Sequence, residues 1–101
     1  MRRAARVDDN QPEIVAALRA VGASVEATHA VGAGFPDLVV GFRGATYLLE
    51  VKDGSKPPSK QKLTPDQVEW HSTWEGHAVT VNSPEAALAA IGVIEVRGVV
   101  S

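Results

Sequence analysis

A chain of 101 residues with 45% hydrophobic and 22% charged content has the make-up of an ordinary soluble globular protein, and it is long enough for a single domain, 1–101, with a modest core. Having no cysteine, it excludes a disulfide framework, a cysteine-bound zinc site and thiol chemistry, and no apolar run approaches membrane-spanning length. The net charge of −2 does not announce a nucleic-acid binder, although Arg2, Arg3 and Arg6 form one basic cluster and Lys52, Lys56, Lys60 and Lys62 another.

Residues 1–8 read as a flexible arm. Arg2-Arg3-Ala4-Ala5-Arg6 lacks the apolar segment of a signal peptide, so a cytoplasmic location is expected. Asp9 or Asn10 suits a helix N-cap and Pro12 a first turn; Ile14, Ala17, Leu18 and Val21 then make one apolar stripe before Gly22 ends the helix. Glu13 lies in its first turn, where a carboxylate is favoured by the helix dipole alone. Ser24–Ala30 alternates loosely and reads as a first strand, followed by Gly32-Ala33-Gly34, where the backbone has room for a close approach. His29, near the end of that strand, is expected to have a structural or surface role.

Two apolar runs, Leu38–Phe42 and Tyr47–Val51, flank Arg43-Gly44 and predict a β-hairpin. If the turn is centred between Arg43 and Gly44, position 37 faces position 50, and Asp37, Glu50 and Lys52 share one face. Two carboxylates directly opposite one another repel. A divalent cation, Mg²⁺ or Mn²⁺, is the natural occupant between them, and Lys52 beside it is suited to hold a water or stabilise the charge of a phosphodiester transition state.

The stretch 53–61 is a polar loop with Pro57-Pro58 and two lysines. Lys56, Lys60 and Lys62 are candidates for phosphate-backbone contact, which gives sequence-independent, salt-sensitive affinity. Thr64 and Pro65 open a second helix running to about Glu75, on which Trp70 and Trp74 read as core or dimer contacts. Ala78–Val81 is a fourth strand, Ser83-Pro84 begins a third helix through Ala90, and 92–101 is a tail with a partly alternating apolar pattern, suited to an added strand. The order predicts a mixed sheet flanked by helices.

Gly34-Phe35-Pro36-Asp37-Leu38 followed by Glu50-Val51-Lys52 resembles the core of the PD-(D/E)XK nucleases. Together with Leu63-Thr64-Pro65-Asp66-Gln67 and Gly76-His77-Ala78-Val79-Thr80-Val81 it is most similar to the small VRR-NUC branch, over about residues 13–91. The resemblance implies an α/β restriction-endonuclease-like core with a mixed four-stranded sheet, in the order αβββαβ plus a C-terminal helix. It implies a metal-dependent DNA endonuclease, structure-selective on branched DNA such as Holliday junctions and working as a homodimer, with no organic cofactor and no membrane. Asp37 and Glu50 are then the metal-binding acids, the Val51 carbonyl a further ligand, Lys52 the catalytic lysine, and Glu13 and Gln67 supporting residues of the catalytic set, Glu13 also as a metal ligand. The alternative is a catalytically inactive module that keeps the nuclease fold to bind nucleic acid or protein.

Overall fold

Ile14 and Leu18, one helical turn apart, are fully buried, and the stripe they form sets how the first helix lies on the sheet. In the computed structural model, which describes residues 7–93, this helix is α1 (Gln11–Ala20), followed by strand β1 (Ser24–Ala27), the hairpin β2 (Leu38–Phe42) and β3 (Ala45–Val51), helix α2 (Pro65–Thr73), strand β4 (Val79–Val81) and helix α3 (Pro84–Ala90). The architecture is α/β, and the sheet runs β1-β2-β3-β4. The first two pairings are antiparallel and β3–β4 is parallel, so the chain crosses over through α2, as a parallel pair requires. The arginine cluster of the arm and tail residues 94–101, with the added strand expected there, lie outside the described residues.

Phe42 pairs with Ala45, leaving Arg43 (φ 51°) and Gly44 (φ 81°) as a two-residue turn with both φ positive, the geometry that matches strand twist. Register follows from that turn. Leu38 stands opposite Leu49 and Val40 opposite Tyr47, while Leu49 and Val51 pair with Val79 and Val81. These side chains, with Val25, face Ile14, Leu18, Ala87 and Ile91 in one core. Helices α1 and α3 pack on each other and on the outer strands β1 and β4. By parity, Leu48 and Glu50 point to the opposite face.

Local boundaries differ from expectation where tertiary contacts intervene. Strand β1 ends at Ala27, because its last pair is Ala27 with Leu38; beyond it Thr28 N–H donates to Asp37 O and Val31 N–H to Thr28 O, which turns the chain. Gly22 N–H donates to Arg19 O and Ala23 N–H to Leu18 O, the paired bonds that close a helix at a left-handed glycine. Helix α2 stops at Thr73 rather than Glu75, Trp74 being extended (ψ 124°). That helix buries no residue. Trp70 is half-buried and Trp74 is 43% exposed, so neither belongs to the core.

Candidate active site

Asp37, immediately before β2, stands opposite Glu50 by continuation of the hairpin register, and Lys52 follows the end of β3. All three are buried, Glu50 to 1% exposure. Pro36 O accepts from the Thr28 hydroxyl, and the Asp37 carboxylate takes up the strand's next donor: Val51 N–H donates to Oδ2 at 2.8 Å. That bond orients Asp37 toward Glu50. Burial, then the facing Asp37, raise the Glu50 carboxyl to about 9 against the opposing pull of Lys52.

Gln67 ties the set together. Its Nε2 donates to Glu50 Oε2 at 2.8 Å, its Oε1 accepts from Lys52 Nζ at 2.8 Å, and Lys52 Nζ is 4.0 Å from Glu50 Oε2. The same Oε1 accepts from Thr64 N–H at 2.9 Å, and Gln67 N–H donates to the Thr64 hydroxyl. The glutamine thus completes the capping box of α2 while holding both the lysine and the acid. These groups wall a cavity of about 480 Å³, together with Asp8, the loop Gly32-Ala33-Gly34-Phe35, Lys60, Lys62, Thr64 and Asp66.

No family model matches the chain, and no curated protein sequence does. A solved structure described as a VRR_NUC domain does match: it is 25% identical in sequence, covers 80% of this chain and 88% of its own, and superposes with a TM-score of 0.56. The chain is similar to the VRR-NUC domain and shares its α/β fold.

Within this VRR-NUC fold the structure gathers Asp37, Glu50, Val51, Lys52 and Gln67 around one cavity, and Lys60 and Lys62 at its wall. Lys56 does not line it; its charge is felt by Asp8 and Asp53. Glu13 does not line it either: exposed on α1, beside the buried Ile14 and Leu18 stripe, it lines a neighbouring cavity of about 550 Å³ with Asp9 and Asp53. Asp8 is the acid that reaches the site from this end of the chain. Burial, then the Asp37 charge, pushes its pKa above the ordinary carboxylate value.

Asp8 is held there by Asn10. The expected cap makes no side-chain capping bond; instead its Nδ2 donates to Lys52 O at 3.0 Å and Asn82 O at 3.3 Å, fastening the start of α1 to the end of β3. The acidic run Asp8-Asp9 before a helix was the available signal, but nothing local separates the inward Asp8 from the exposed Asp9. His71, one turn beyond Gln67, was also missed: burial, then the Lys52 charge, lowers its pKa.

A divalent cation fits the residues present. Glu50 Oε1 is buried without a hydrogen-bond partner, and a cation there removes the like-charge conflict that raises the Glu50 carboxyl. Among the described residues no group of three or more His, Cys, Asp or Glu side chains is arranged to hold a metal. Asp37 and Glu50, with backbone and water oxygens to complete the shell, would suit Mg²⁺ or Mn²⁺. No helix among the described residues is long and apolar enough to cross a membrane.

Proposed function

We propose that this VRR-NUC-like domain is a metal-dependent DNA endonuclease that hydrolyses phosphodiester bonds, with branched DNA such as a Holliday junction as the substrate class and a symmetric homodimer as the working unit. The observation that carries the reading is the opposed, buried pair Asp37 and Glu50, its acid raised to about 9, beside a lysine that a glutamine positions. Burying like charges is costly unless something uses them.

Asp37, Glu50 and the Val51 carbonyl are the groups to hold Mg²⁺ or Mn²⁺, which when bound keeps both carboxylates ionised and polarises the substrate phosphate. Val51 N–H fixes the Asp37 carboxylate, and Gln67 orients Glu50 and Lys52 together. The Lys52 ammonium is placed to hold the attacking water and to stabilise the extra negative charge on the phosphate oxygens. Asp8 acts through its charge at the edge of the cavity. Lys60 and Lys62 are the groups at its wall for backbone phosphates, with Lys56 farther out on the same loop.

The test is cleavage of labelled junction, flap, nicked and single-stranded DNA with and without Mg²⁺ or Mn²⁺. Metal-dependent cleavage is expected, and Asp37→Asn, Glu50→Gln and Lys52→Ala should each slow it about a hundredfold or more. Asp8→Asn should cost about tenfold, as for groups that act through the metal's immediate ligands, with Glu13→Gln near wild type. Near wild-type rates for the Asp37 or Glu50 variants reject the site. Absence of cleavage on every substrate leaves the fold as a binding module.

A further inference from the structure

Three aromatic side chains lead away from the cavity without entering the core. Phe35, on the loop that walls the cavity, meets Trp70 edge-on with ring centroids 5.4 Å apart. Trp70 in turn lies over Trp74, 4.8 Å apart and within 19° of parallel. Trp74 is 43% exposed, although a ring of this size is mostly covered in a folded protein. Its orientation is preset: one face rests on Trp70, and a Cβ at Gly76 would meet its Nε1 at 2.8 Å, so only glycine leaves the ring where it lies.

Lys60 and Lys62 wall the same cavity as Phe35, so basic groups and the first ring of the aromatic row line one cavity. Cations that track phosphates beside rings that accept base faces are the paired features of surfaces for unpaired nucleic acid. A base inside a duplex is stacked on its neighbours and has no free face to offer a ring. We propose that Trp74, backed by Trp70 and Phe35, is a stacking surface for an unpaired base of the DNA strand whose phosphate lies in the Asp37–Glu50 cavity. The domain then acts where a strand is opened, at a flap, gap or frayed branch, in preference to continuous duplex. The place of the phosphate rests on the nuclease reading above; the stacking itself does not.

Tryptophan fluorescence of the full chain, titrated without divalent metal, reads the stacking directly. A short oligothymidylate should quench it strongly and a blunt hairpin duplex weakly. Trp74→Ala should weaken oligothymidylate binding about tenfold or more and leave duplex binding unchanged, while Trp74→Phe keeps most of the affinity; circular dichroism checks that both variants fold. Equal loss on both ligands, or unchanged oligothymidylate affinity in Trp74→Ala, overturns the proposal. So does a DNA-free protein whose sedimenting mass drops in Trp74→Ala, which makes the rings a contact between copies of the chain. Discrimination for oligothymidylate in a protein that cleaves nothing supports the stacking surface and removes only the nuclease reading.

Discussion

Glu50 holds its proton because three neighbours act at once: the burial of its carboxyl, the facing Asp37, and too distant a lysine to compensate, at 4.0 Å. Its ordinary value of 4.5 becomes about 9, which makes a stability statement. Between those values the folded metal-free chain binds a proton that the unfolded chain has released, so stability falls as pH rises through that window. His71, lowered by burial, has the opposite slope, but only below its ordinary value of 6.5. Metal-free protein scanned from pH 7 to pH 9 should therefore lose melting temperature, at most about 10 °C per pH unit for one whole proton, and Glu50→Gln should flatten the profile. Mg²⁺ or Mn²⁺ should stabilise more at the alkaline end, because binding displaces the same proton. A flat wild-type profile means that Glu50 titrates normally.

Helix α2 is positioned by its first turn rather than by an apolar stripe. Its capping box shares Gln67 with the site, and the backbone of Asp66 lies so close to Gly34 that a Cβ there would run into the Asp66 carbonyl, with its carbon at 2.6 Å. Gly34 is also left-handed, φ +83°. Gly34→Ala therefore adds a backbone collision to the conformational cost, whereas Gly44→Ala, left-handed at φ +81° with nothing within 4 Å, adds the conformational cost alone, about 1 kcal/mol. Thermal melts should rank Gly34→Ala clearly below Gly44→Ala, and only Gly34→Ala should slow cleavage, because displacing the α2 turn carries Gln67 away from Lys52 and Glu50. Equal melting points for the two would mean that the loop yields without moving the helix.

Across the whole molecule the charge is −2, yet its distribution is uneven: lysines wall a cavity whose floor is acidic. The loop that carries them is pinned, with Gln61 Nε2 donating to Lys56 O at 2.7 Å and Asn82 Nδ2 to Gln61 Oε1 at 3.1 Å. Changing Lys56, Lys60 and Lys62 together to Ala should lower the salt dependence of DNA binding by about three at most, since each duplex phosphate contact releases roughly one counterion. Most of that change should come from Lys60 and Lys62, with turnover at saturating DNA retained. An unchanged slope assigns the loop to solvent. For the homodimer, a chain this small gains stability from pairing and two sites gain access to two strands; equilibrium sedimentation at micromolar concentration should give twice the chain mass, and a monomer removes paired cutting.

The hairpin was legible in the sequence because its determinants are local. Two short apolar runs, a left-handed Arg43-Gly44 turn between them and strict period-two parity place Asp37 opposite Glu50 without help from the rest of the chain. The α2 cap was legible for the same reason, Thr64 and Gln67 being three residues apart. What local pattern left open was every choice between neighbours on a helix or an arm. Glu13 and Asp8 are both acids near the start of α1, and only the burial of Ile14 and Leu18 against the sheet, with Asn10 bonded across 42 residues to Lys52 O, turns one outward and the other into the site. Trp70 and Trp74 carry a spacing that fits a buried stripe equally well; their position outside the core follows from α2 crossing over at the edge of the cavity instead of lying on the sheet. Side-chain period is a property of a few consecutive residues, whereas which face is covered depends on segments distant in the chain, so the facing of Asp37 and Glu50 could be read from the sequence, and the choice of Asp8 over Glu13 and the place of the two tryptophans could not.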